Sequence, residues 1–171
     1  ELLILTHPDE QDFAALVDVA QRYEIGLFAS NGQPNSGERY QRLDLLLADT
    51  PRVALTAGYS LDFADGTRLE VLHPQRLPRP GAPLGDDALV LRLSYSEVSF
   101  LLTSDLSRAG QDTLLDAGHN LNAAVLALPQ HGHARSLDLA FLEAVQPQVA
   151  VVQADAANRQ GDPDADVLAL L

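Results

Sequence analysis

Apolar residues follow two rhythms along this chain, and the rhythms alternate. Leu2–Leu5 is a continuous apolar run, the pattern of a buried strand. After the polar loop 6–12, Phe13, Leu16, Val17 and Ala20 recur at helical spacing, which predicts a helix over 10–23. Residues 26–29 read as a second strand. A loop rich in Gly, Pro and Asn at 31–37 precedes an amphipathic helix over 38–48, with Leu43, Leu46 and Leu47 turned inward. Residues 53–56 form a further short strand.

The middle of the chain is denser in strands. Segments 60–63 and 68–72 flank Ala64-Asp65-Gly66, a hairpin signal because Asp-Gly favours tight turns. Residues 73–85 carry four prolines and cannot form regular structure. Segments 89–93 and 98–102 predict a second hairpin around Tyr95-Ser96-Glu97. The helix–strand alternation then returns. Ser107 reads as an N-cap, 112–117 as a helix and Gly118 as its stop. A strand over 124–128 ends at Pro129, Ser136 caps a helix running to Val145, and 149–152 is a strand. Asp164 or Asp166 starts the last helix. No repeat or low-complexity tract interrupts the pattern. The sum is an α/β layered domain with a mixed sheet and flanking helices.

Length and composition narrow the reading. The 171 residues suit one domain, and 46% apolar with 20% charged residues is globular composition. No apolar run is long enough to cross a bilayer, and the run at Leu2–Leu5 is too short for a signal peptide. Eleven basic residues, all Arg, stand against 24 acidic ones, for a net charge of −13. That balance argues against a module that coats phosphates with cations. The absence of Cys excludes disulfides and thiolate metal sites. The chain lacks Met, opens directly on a strand and closes on 167–171 in mid-helix, so it reads as a piece of a larger protein.

Polar residues gather just after apolar strands, where α/β folds place their chemistry. Loop 6–12 offers His7, Asp9, Glu10 and Asp12. Loop 103–106 offers Asp105, and loop 129–133 offers His131 and His133; loop 158–163 is a weaker fourth. Imidazoles and carboxylates converging from several loops suit divalent metals, and a bridging carboxylate suits hydrolysis by metal-activated water. Each loop also has a plainer reading. Asp residues before a helix serve as caps and dipole partners, Asp105 could cap, and His131-Gly132-His133 could be a simple turn. Lone His73 reads as a structural strand-end residue.

The ordered motifs THPD at 6–9, VLHP at 71–74, LVLRL at 89–93, SFLLTSDL at 99–106, QHG at 130–132 and NRQGDP at 158–163 make this chain resemble a known family. It is similar, over essentially its whole length, to the metallo-β-lactamase-fold domain of ComEC-type competence proteins. The resemblance implies a partial metallo-β-lactamase fold over 1–171, lacking the family's first strands and its last helix. It implies a metal set of His7, Asp9, Asp12, Asp105 and His131, with Asp9, Asp12, Asp105 and His131 in catalysis and Asp105 bridging. The motifs also depart from the family. Gln11 stands for Asp, Asp12 for His, Ser104 for Gly, Gln130 for His, His133 for Ser and Asp162 for His.

Three functional expectations follow. The first is a divalent-metal (Zn or Mn) phosphodiesterase or nuclease domain of a DNA-uptake protein, holding one ion or none after its ligand substitutions. Its partners would be DNA and the membrane-embedded channel of the same polypeptide. Its place would be the extracytoplasmic side of an inner membrane. The second is a degenerate structural or interaction module of the same protein. The third is a stand-alone hydrolase of this fold acting on a small ester or phosphoester.

Overall fold

The computed structural model describes residues 1–154 and 157–171, with the side chains of residues 11 and 12 outside the description. Two sheets face each other. The first contains three parallel strands, β1 (Leu2–Leu5), β2 (Leu27–Ser30) and β3 (Arg52–Ala54). Its crossovers are α1 (Glu10–Arg22) and α2 (Glu38–Leu46). Alternation along these strands divides their side chains between two faces. Leu3, Leu5 and Phe28 point to the helices and pack with Phe13, Val17, Leu43 and Leu47. The Phe13 and Tyr40 rings meet edge to face at 5.8 Å. Ala29 and Leu55, flanked by Leu2, Ile4 and Val53, point the other way, against Val71, Leu89 and Leu91 of the second sheet.

The second sheet has six strands in sequence order: β4 (Ser60–Asp62), β5 (Arg68–His73), β6 (Val90–Tyr95), β7 (Val98–Leu102), β8 (Val125–Ala127) and β9 (Val149–Val151). The first four are antiparallel, and β7, β8 and β9 are parallel. Parallel neighbours need crossovers, and α3 (Arg108–Asp116) and α4 (Leu139–Val145) supply them; α5 (Ala165–Leu168) follows. These helices cover the outer face through Leu101, Leu106, Leu114, Leu126, Phe141 and Val145. The layers therefore run helix, sheet, sheet, helix.

The strands make two layered sheets that share no ladder, and the β4–β9 sheet is mixed, as expected. Three expectations need correction. Leu46 is 39% exposed, since the inward stripe of α2 falls on Leu43 and Leu47. Helix α3 starts at Arg108, directly after its cap Ser107, and not at residue 112. Asp138, not Ser136, caps α4, its carboxylate accepting from the Ala140 N–H at 2.8 Å. Ser136 is buried two residues earlier.

Three strands cannot cover six. The inner face of β7–β9 carries Phe100, Leu102, Val149 and Val151, each exposed by more than a third. Register joins them into one strip, Phe100 beside Val125 beside Val149, and Leu102 beside Ala127 beside Val151. Among the described residues no helix is long and apolar enough to cross a membrane.

Candidate metal centre

The ends of β1, β7 and β8 bring three of the sequence-predicted loops to one cleft. Thr6, His7, Ser104, Asp105, His131 and Gln153 form its polar side; its wall is apolar. Its volume is about 480 Å³. Asp105 lies between two imidazoles. Its Oδ2 is 3.7 Å from His7 Nε2 and its Oδ1 is 3.7 Å from His131 Nε2. One carboxylate thus presents a separate oxygen to each ring.

Neighbouring carbonyl and hydroxyl groups fix how these side chains point. His131 Nδ1 stands 3.1 Å from the Gln153 carbonyl oxygen. A carbonyl only accepts, so Nδ1 carries the proton and donates it. In the neutral ring, Nε2 then turns a lone pair toward Asp105. His7 is buried, with its Nδ1 3.2 Å from both Thr6 Oγ1 and Ser104 Oγ, which are 2.7 Å from each other. The Ser104 hydroxyl therefore ties the β7 loop to the β1 loop, 97 residues away in sequence from His7.

The backbone here is unusual. Ser104 has φ 50°, and Gln130, His131 and Gly132 are left-handed in succession, at φ 48°, 57° and 72°. Left-handed non-glycine residues cost about 1–2 kcal/mol each and persist where surrounding structure holds them. Gly132 is required on a second count, because a Cβ there would stand 2.8 Å from Pro163 Cβ. This packing sets the 158–164 segment against the turn that carries His131, and the Asp164 N–H donates to the Gly132 carbonyl at 2.9 Å.

The other two predicted ligands are Asp9 and Asp12. Asp9 sits just before α1, and its carbonyl accepts from the Phe13 N–H at 3.2 Å. The side chain of Asp12, like that of Gln11, lies outside the described residues. Of the substituted positions, Gln130 directs its amide to the Asp105 carbonyl at 3.5 Å, and buried Asp162 accepts from His133 Nδ1 at 2.9 Å. Sequence reasoning did not single out Thr6, Ser104 or Gln153 as parts of the site. Gln153 acts through its carbonyl, which every residue type possesses.

The donor set suits a borderline divalent ion. Ligands bonded to one such ion at about 2.0–2.2 Å stand roughly 3–3.5 Å apart, and each imidazole–carboxylate pair here is 3.7 Å apart. That separation is too long for a hydrogen bond and leaves room for a cation shared between nitrogen and oxygen. Among the described residues, no group of three His, Asp or Glu side chains converges tightly enough to hold an ion unaided. The fit therefore rests on the two pairs about Asp105.

Comparison with known proteins bears on the fold first. The chain superposes on a point mutant of the β-hydroxylase CmlA with TM-score 0.57 and 15% identity, covering 98% of this chain and 39% of that one. The Zn²⁺-bound PqqB of Methylobacterium extorquens aligns with TM-score 0.52 and 10% identity, over 88% of this chain and 62% of that one. The fold is the metallo-β-lactamase fold. In sequence, the chain is 33% identical over 104 residues to the ComE operon protein 3 of Bacillus subtilis, which is 61% of this chain and 13% of that protein. It is 34% identical over 100 residues to the competence protein ComA of Neisseria gonorrhoeae, 58% of this chain and 14% of that one. These matches bear out the resemblance to ComEC-type domains, and the chain spans only about one seventh of either relative. No protein-family model matches it.

Proposed function

We propose that this chain is a divalent-metal hydrolase domain of a competence-associated DNA-uptake protein, acting on phosphodiester bonds. One observation carries the reading. A carboxylate, Asp105, is held between two imidazoles, and the proton of one, His131, is committed to the Gln153 carbonyl. A carboxylate oxygen facing an imidazole nitrogen at 3.7 Å suits a cation shared between the two. The His7–Asp105 and His131–Asp105 pairs would each offer a nitrogen and an oxygen to a Zn²⁺ or Mn²⁺ ion, with Asp9 and Asp12 as the supporting carboxylates the resemblance implies. Such an ion, when bound, activates water at neutral pH and offsets charge on a phosphoryl oxygen. The chain's own part is to aim the ligands. Gln153 fixes the His131 tautomer, Ser104 and Thr6 fix the His7 ring, and Leu91, Leu102 and Val151 supply the apolar wall.

The sequence similarity supports the competence setting. DNA and the channel portion of the same polypeptide are the proposed partners, and the extracytoplasmic side of an inner membrane is the proposed place. The strands that the resemblance expects ahead of β1 are proposed to cover the open face of β7–β9.

A second reading, a domain that has kept the fold and lost the chemistry, has its own support. Gln130 and Asp162 turn to the Asp105 carbonyl and to His133. One experiment separates the two. The protein is loaded with Mn²⁺ or Zn²⁺, bound ions are counted by elemental analysis, and DNA cleavage is assayed beside Asp105→Ala. The hydrolase reading expects at least one ion per chain and cleavage that Asp105→Ala lowers at least a hundredfold. A folded protein with no ion and no cleavage establishes the second reading.

A further inference from the structure

His73 is a buried titratable group that the reading above leaves unused. It ends β5 and is 1% exposed. Its Nε2 is 2.8 Å from the Asp86 carbonyl oxygen, so Nε2 carries the proton and donates. Its Nδ1 is buried and has no hydrogen-bond partner among the described residues. Burial lowers its pKa and keeps the ring neutral. An unmet buried acceptor costs about 1–3 kcal/mol. An apolar side chain would avoid that cost, so the Nε2–H bond must hold something in place.

It holds the segment 85–89, which touches both loops of the cleft. Asp86 Oδ1 accepts from Ser107 Oγ at 2.5 Å, and the Ser107 N–H donates to the Gly85 carbonyl at 2.9 Å. Gly85 lies so close to Asp105 that a Cβ would stand 2.5 Å from the Asp105 carbonyl oxygen. At the other end of the segment, the Leu89 N–H donates to the Thr6 carbonyl at 2.9 Å, next to His7. The Asn31 amide donates to the Asp87 carbonyl at 3.0 Å and steadies the middle.

We propose that His73 is a positioning residue, whose bond to the Asp86 carbonyl fixes segment 85–89 and through it the spacing of His7 and Asp105. Its effect on ion binding rests on the reading of the cleft as a metal centre; its effect on the His7 ring does not. The test compares His73→Leu, which removes the donor, with His73→Gln, whose side-chain N–H can reach the same carbonyl. Three quantities are measured on the protein: unfolding in urea, the ring-nitrogen chemical shifts of His7, and Mn²⁺ affinity by calorimetry.

Positioning expects His73→Leu to stay folded, move the His7 ring shifts and weaken Mn²⁺ binding at least tenfold. His73→Gln restores the shifts and brings the affinity to within threefold of the original. A folded His73→Leu with unchanged His7 shifts overturns the proposal. If His73→Leu does not fold, His73→Gln is set against His73→Asn, whose shorter amide falls short of Asp86; equal His7 shifts in the two overturn it. If the unaltered protein binds no Mn²⁺, the metal reading fails, and the His7 shifts still decide the role of His73.

Discussion

Ser104 occupies a backbone conformation that its side chain resists. At φ 50° it sits in the left-handed region, where glycine is at ease and other residues lose about 1–2 kcal/mol. What it gains is a hydroxyl placed 2.7 Å from Thr6 Oγ1 and 3.2 Å from His7 Nδ1. The two effects can be separated by substitution. Ser104→Ala keeps the strain and loses both contacts, so it should cost about 1–2 kcal/mol. Ser104→Gly loses the same contacts and sheds the strain, so it should be more stable than the Ala variant by roughly 0.5–1 kcal/mol after glycine's extra unfolded freedom is counted. Urea unfolding of the pair decides it, and a Gly variant less stable than the Ala variant would show that the strain is absent. This is also the scale at which the site was most legible. His7, Asp105 and His131 could be read because each follows an apolar strand. Thr6 and Ser104 could not, since hydroxyls beside a ligand look like ordinary loop polarity, and neither could Gln153, since its contact is made by backbone.

At the scale of elements, the ends of α4 show where pattern reading stops. Ser136 and Asp138 are both favoured N-cap residues two positions apart, and no local signal ranks them. Tertiary packing ranks them instead. Gln111, buried on α3, donates to the Ser136 carbonyl at 2.6 Å and accepts from the Asp138 N–H at 2.9 Å, which fixes where the helix begins. Asp138 then caps α4 and pairs with Arg108. The Ser136 hydroxyl is left buried without a partner among the described residues. Asp138→Ala should therefore cost about 1–2 kcal/mol. Ser136→Ala, which deletes an unmet polar group, should be neutral or slightly stabilising. Thermal unfolding of the two variants checks the ranking, and a larger loss at Ser136 would reverse the assignment. The same limit explains the sheets. Each strand was legible from its own apolar run, but division into two sheets depends on which strands pair. β3 and β4 are adjacent in sequence and never pair with each other, and no residue in either announces that.

At the scale of the whole molecule, two features oppose each other. An apolar strip on β7–β9, with Phe100, Leu102, Val149 and Val151 exposed, favours association. A net charge of −13 keeps copies apart. Their ranges differ, and that makes the balance testable. Charge repulsion reaches about 8 Å at physiological salt and about 3 Å at 1 M, whereas contact between apolar strips needs no such reach and is not weakened by screening. Raising NaCl from low concentration to 1 M should therefore drive the chain to self-associate, as followed by light scattering. The variant Phe100→Thr/Val149→Thr/Val151→Thr keeps residues suited to strands and removes most of the strip, so its scattering should stay flat across the same range. It should also bind less of an apolar-surface dye while its urea midpoint falls only modestly, because the altered side chains lie outside the buried clusters. If the triple variant associates with salt as the original does, the strip is not the adhesive surface. If it does not, the face behaves as an unsatisfied interior, which is what the strands proposed ahead of β1 would cover.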